Sequence, residues 1–146
     1  LLASWAHAGY PDVGGYGALE FDGVNDYVTL GNNPSLWLTS DLTVSAWVKL
    51  GPNTAGRHLG ILGKMTVQAQ PPKGFRLARA DNNKFRFTVG GPYALREVSS
   101  ELTYTDSEWH HVVGMTEGRD AYIFVDGAGI RLPGILPHRV SESGVA

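Results

Sequence analysis

Two runs rich in strand-forming residues dominate what this chain can fold into. Trp109-His110-His111-Val112-Val113-Gly114-Met115 and Ala121-Tyr122-Ile123-Phe124-Val125 flank the short link Glu117-Gly118-Arg119-Asp120, and Asp126-Gly127 follows the second run at once. Asp-Gly tolerates the positive φ that a two-residue hairpin demands, so the region reads as two antiparallel strands with a further tight turn behind them. The same two-residue period recurs upstream. Leu42, Val44, Ala46, Val48 and Leu50 alternate with Thr43, Ser45, Trp47 and Lys49, the pattern of a strand with one face on a core. Phe75 and Leu77 alternate with Arg76 and Ala78; Asp81-Asn82-Asn83 supplies a turn; Phe85, Phe87 and Val89 then alternate with Lys84, Arg86 and Thr88. That hairpin has a basic outer face. Shorter strands are expected at Leu19 to Phe21, Tyr27 to Leu30, Leu59 to Lys64 and Tyr93 to Val98, and loops at Gly51 to Arg57, Gln68 to Lys73 and from Leu132 onward. No window sustains apolar residues at helical spacing, so the expectation is an all-β antiparallel sandwich or barrel.

Composition narrows the functional classes. With 146 residues, 42% of them hydrophobic and 18% charged, the chain is read as a single domain, 1–146, able to bury one core without obligatory staples. A formal charge of −2 and scattered basic residues exclude a nucleic-acid backbone as partner. There is no cysteine, hence no thiolate metal site or redox motif. No apolar stretch has the length of a membrane span, and Leu1-Leu2-Ala3-Ser4-Trp5 lacks the features of a signal peptide. The absence of an initiating Met leads to the expectation of a processed or excised piece.

Four segments, in order, give a more specific reading: Phe21-Asp22-Gly23-Val24-Asn25-Asp26-Tyr27-Val28, Thr43-Val44-Ser45-Ala46-Trp47-Val48-Lys49, Trp109-His110-His111-Val112-Val113, and Tyr122-Ile123-Phe124-Val125-Asp126-Gly127. As a set, from about Leu19 to Gly127, they resemble the laminin-G-like branch of the concanavalin A-like lectin/glucanase superfamily. The resemblance implies an antiparallel jelly-roll β-sandwich. It implies function much less directly, because one fold hosts many sites.

Candidate chemistry is sparse. Asp22, Asn25 and Asp26 offer hard oxygen ligands in a glycine-containing loop, the donor type that Ca²⁺ selects, and calcium is what the resemblance implies as cofactor. Three ligands fall short of the about six to eight oxygens calcium takes, so carbonyls or another loop must contribute. The competing reading is that these side chains simply make turns. On a strand, Glu20 and Asp22 share a face, as the paired carboxylates of the glucanase branch do, roughly 5 Å apart in retaining enzymes. A third acid of that motif belongs near Val24 or Asn25, and neither residue is acidic. In the run Glu101 to Glu108, Asp106 and Glu108 share a face but Tyr104 stands two residues earlier. No enzyme activity is therefore expected. His110 and His111 point to opposite faces and cannot jointly hold one metal; one is expected as a packing residue and the other at the surface.

Aromatic residues supply the remaining clue, since sugar rings stack on exposed Trp and Tyr. Trp47 lies on the polar side of its strand, and the candidate ligand-binding residues are Trp47, Arg76 and Tyr93. The expected function is a non-catalytic recognition module of a secreted or cell-surface protein, with a glycan or protein surface as partner and carbohydrate as leading ligand. The alternative is a structural or adhesive subunit of a surface filament or viral appendage. One expectation concerns the C-terminal region. In the resembling family a closing strand follows the hairpin and pairs near the N-terminal strand, here Leu1 to Trp5. After Gly127 only Ala128 to Leu132 can form a strand, and residues 132–146 read as a loop-like tail. Either the natural domain runs past Ala146, or strand sharing with another segment or subunit fills that place.

Overall fold

The computed structural model describes residues 17–33, 41–51, 56–66, 68–91 and 95–134. The chain divides into two compact units, Leu1–Leu36 and Trp37–Ala146. Within the first, residues 17–33 contain no strand, so the strands expected at Leu19 to Phe21 and Tyr27 to Leu30 do not form. Their apolar residues are few and no ladder partner for either run is present among the described residues. Leu1 to Trp5, Tyr93 and the tail beyond Gly134 lie outside the described residues.

The second unit is all β among its described residues. Its strands are β1 (Thr43–Lys49), β2 (Leu59–Thr66), β3 (Lys73–Arg79), β4 (Phe85–Gly90), β5 (Leu95–Ser99), β6 (Trp109–Glu117), β7 (Asp120–Val125) and β8 (Ala128–Leu132). They form two antiparallel sheets of four, ordered β1-β6-β7-β8 and β2-β3-β4-β5. Both anticipated hairpin turns are present. Gly118 supplies the positive φ between β6 and β7, and Asp126 (φ 51°) with Gly127 (φ 84°) forms the two-residue link between β7 and β8, the conformation that favours Asp-Gly. In the β3–β4 turn Asn83 adopts φ 61°, and its N–H donates to the Ala80 carbonyl at 3.0 Å.

The alternation in the sequence determines which side chains meet. Leu77, Phe85, Phe87, Val89 and Val98 from one sheet pack against Val112, Ala121, Ile123 and Val125 from the other, with Leu42, Val44 and Val48 closing the β1 side. Burying a phenylalanine such as Phe87 contributes about 1.5–3 kcal/mol, so this cluster is the main source of cohesion. The Phe87 ring lies against Gly114 of β6, where a Cβ would meet the ring carbons at 2.3–2.8 Å. The entrance to β1 is fixed by a reciprocal pair of bonds. Leu42 N–H donates to Thr116 Oγ1 at 3.0 Å, and Thr116 N–H donates to the Leu42 carbonyl at 2.9 Å.

Candidate functional site

Register places the outward residues of the β1-β6-β7-β8 sheet in rows. Trp47 pairs with His111, Lys49 with Trp109, Ser45 with Val113, and Thr43 with Met115. The rows continue onto β7, where Val113 faces Phe124 and Met115 faces Tyr122. Because Ala46, Val48, Val112 and Ile123 point toward the core side, all these alternate residues point outward. The result is an aromatic face. Trp47 is 66% exposed, yet its ring is supported from one side by the His111 ring, with centroids 5.1 Å apart and planes inclined by 24°. Tyr122 and Phe124 form a second ring pair, stacked with nearly parallel planes, at 6.2 Å and 11°. Phe124 lies down on the sheet because its β8 neighbour is Gly129; a Cβ there would strike the ring at 2.5 Å. Ser45 and Thr43 place exposed hydroxyls beside the rings. Lys49 stands at one end, while Arg131 at the other is bound to Asp120 through both Nε and Nη2.

Below this face, on its core side, lies a charged cluster. The His110 side chain is only 12% exposed, and its ring packs edge-on to Tyr104 at 4.7 Å and to Phe85 at 6.0 Å. Its Nδ1 is 2.7 Å from Asp126 Oδ2 and its Nε2 is 3.0 Å from Asp106 Oδ1. Ionised carboxylates only accept, so both ring nitrogens must donate and the ring is an imidazolium. Burial opposes that charge, but the bonds to Asp126 and Asp106 outweigh it and hold the His110 pKa above its ordinary value. The bond to His110 in turn lowers the pKa of each carboxyl, assisted by the Glu108 amide at Asp106 and the His111 amide at Asp126. The crevice bounded by Arg79, Phe85, Tyr104, Asp106, Ser107, Glu108 and His110 has no room for a water molecule, so the His110 ring is packed while the Asp106 and Asp126 carboxylates that hold it stay half-exposed.

Asp126 is the residue that sequence reading missed. It serves both layers: Oδ2 meets the His110 ring, while Oδ1 accepts the His111 backbone N–H at 2.9 Å. In the sequence it is only the first residue of an Asp-Gly turn. Its cross-strand neighbour is findable from register, since Val112 pairs with Val125; the approach of Asp106 from a loop has no sequence signal.

Of the three expected ligand-binding residues, the two that the structure describes lie apart. Trp47 is on the outer face of one sheet. Arg76, between the core residues Phe75 and Leu77, is on the outer face of the other sheet, and Tyr93 lies outside the described residues. Alternation gives the face of a strand but not the sheet it joins. In the first unit, Asp22 Oδ1 accepts the Val24 N–H at 2.7 Å and Asp26 Oδ2 accepts the Asp22 N–H at 3.0 Å. These two bonds shape a turn at Asp22 to Asp26; among the described residues no group of three His, Asp or Glu side chains is arranged to hold a metal ion. Glu20 and Asp22 are not on a strand, so the face-sharing of paired glucanase carboxylates does not arise there.

Comparison with known proteins agrees with this architecture. No curated protein and no solved structure matches the chain. A laminin-G-type family model, described as the concanavalin A-like lectin/glucanases superfamily, matches residues 22–131, a stretch that includes every strand except the last residue of β8. Together with two packed antiparallel sheets and the Asp126-Gly127 hairpin, that match places the chain in the concanavalin A-like lectin/glucanase superfamily, as a laminin-G-like domain.

Proposed function

We propose that this domain is a non-catalytic recognition module that binds carbohydrate on the outer face of the β1-β6-β7-β8 sheet. The observation that carries the reading is the exposed Trp47 ring, held by the His111 ring with its other face open in the sandwich unit. An indole in that position offers a flat apolar surface to the C–H face of a sugar. Ser45 and Thr43 on the same strand face supply groups for its hydroxyls, and the Tyr122–Phe124 pair extends the shelf across the sheet. Rigid strands present these groups, so little ordering opposes binding. A secreted or cell-surface setting accords with the laminin-G-like family; among the described residues no helix is long and apolar enough to cross a membrane. Calcium, if used, needs the Asp22 to Asp26 loop to recruit carbonyl oxygens in addition to its side chains.

A glycan array probed with the wild-type domain and with Trp47→Ala, each in calcium and in EDTA, tests this reading. Binding by the wild type that is lost in the variant supports it, and no binding to any glycan overturns it. A second reading has its own support, because Trp47, Val113, Phe124 and Met115 share this outer face as partly exposed apolar residues that suit a protein partner, as in a structural or adhesive subunit. Concentration-dependent assembly that Trp47→Ala abolishes favours that alternative.

A further inference from the structure

We propose that His110 and Asp126 are positioning residues for the Trp47 platform, joined by an imidazolium bridge that makes the platform's geometry depend on pH. The inference rests on the carbohydrate reading for its functional meaning, but its geometry stands separately. One carboxylate, Asp126, grips two adjacent residues of β6 that point to opposite sides of the sheet: the ring of His110 on the core side, and the backbone N–H of His111, whose ring supports Trp47. Asp126 is itself placed at the β7–β8 turn in the left-handed backbone that an Asp-Gly turn favours, and its N–H donates to the His111 carbonyl at 2.9 Å. The His110 ring is fixed in turn by Asp106 on its far nitrogen.

Loss of one ring proton changes this network. A neutral imidazole can donate to only one of the two carboxylates, so the other is left facing a nitrogen lone pair. If Asp126 loses its donor, the ring no longer orients its carboxylate, and the bond from the Asp126 N–H to the His111 carbonyl at 2.9 Å becomes the remaining fixed link to the residue whose ring supports Trp47, so that support loosens. The charged and titratable groups around the ring are Asp126 from the β7–β8 turn, Asp106 and Glu108 from the segment before β6, the Tyr104 phenol, and Arg79 on β3, whose Nη1 donates to the Tyr104 carbonyl at 2.8 Å. The carboxylates favour the imidazolium, and Arg79 opposes it. The bridge is therefore closed while His110 is protonated and Asp106 and Asp126 are ionised, and it opens as pH rises through the His110 pKa.

The test is an NMR pH titration that follows the His110 ring and the Trp47 indole N–H. It uses a His111→Phe background, which keeps a ring under Trp47 and takes the second imidazole out of the spectrum. The expected result is one shared midpoint for His110 and Trp47. Asp106→Asn should move both midpoints together to lower pH, and His110→Gln should abolish the Trp47 transition. A Trp47 resonance indifferent to His110 titration overturns the proposal, as does a His110 whose midpoint lies below the ordinary histidine value. If His111→Phe does not fold, the same titration on the wild type with Asp106→Asn gives the answer, because only a His110-linked transition moves with that substitution. Intact coupling without glycan binding on the array removes the carbohydrate reading and leaves the bridge; binding without coupling does the reverse.

Discussion

Gly114→Ala is a small change with a calculable penalty. Gly114 lies on β6 opposite the Phe87 ring of β4, and the added methyl would sit 2.3 Å from Phe87 Cδ2 and 2.6 Å from Cγ. Real contacts of this kind are more than an ångström longer, and Phe87 is fully buried among Leu77, Val98 and Val112. The ring cannot turn aside without displacing them, so relief must come from separating the sheets or from an off-rotamer ring. Overpacking of that kind costs about 1–3 kcal/mol, and for a domain of this size each kcal/mol lowers Tm by roughly 3–6 °C. Phe87→Leu alone leaves a partial cavity and is also destabilising, by about 1 kcal/mol or somewhat more. In the double variant the methyl occupies space the ring has vacated, so the two losses should not add; the coupling should be favourable by at least about 0.5 kcal/mol. Urea unfolding of the four proteins measures this cycle. A neutral Gly114→Ala, or strictly additive losses, would refute the face-to-face placement of β4 and β6.

Three further outcomes follow from the same geometry. Val44→Asp puts a carboxylate toward the core side of β1 and should cost about 2–4 kcal/mol, whereas Thr43→Asp on the outer side should stay within about 0.5 kcal/mol; equal thermal shifts would reverse the strand's faces. The His110 cluster gives stability two pH limits. Its raised pKa means its contribution is complete below the unfolded value near 6.5 and is lost as pH climbs through the folded value, while the lowered pKa values of Asp106 and Asp126 mean theirs is present above about 4 and lost as pH falls through their folded values. Stability should therefore peak between about pH 4 and 6.5, and His110→Gln should flatten the decline on the alkaline side; an unchanged profile in that variant would exclude the assignment. Calcium bound only by the folded state stabilises by mass action, about 2.7 kcal/mol at a hundredfold excess over Kd, so melting in millimolar calcium and in EDTA decides whether Asp22, Asn25 and Asp26 bind it. Identical curves assign them to the turn alone.

What the sequence disclosed and what it withheld divide along a physical line. Period-two alternation depends only on neighbours along the chain, so Leu42, Val44, Phe85, Phe87 and Val89 could be assigned to the core before any coordinates, and Asp126-Gly127 could be read as a turn. The same information cannot say which sheet a strand joins, so sequence alone groups Arg76 with Trp47 although the two occupy opposite outer faces. Short extended runs at Leu19 to Phe21 and Tyr27 to Leu30 carried strand-like composition, but a strand exists only through its ladder partner. Trp47 was legible as a residue on the polar side of a strand; its support by His111 required the β1–β6 register. The His110 network was the least legible feature, since it joins a loop aspartate four residues upstream to a turn aspartate sixteen residues downstream.

Isothermal titration of the best array glycan into the wild type, Trp47→Phe and Trp47→Ala tests the central claim most directly. A central aromatic contact is worth about 2 kcal/mol or more when removed, so Trp47→Ala should weaken binding by roughly thirtyfold or beyond, with an unchanged Tm because the residue is exposed. Trp47→Phe should retain part of the affinity through its smaller ring. Equal affinity in all three proteins would place the ligand elsewhere and contradict the account.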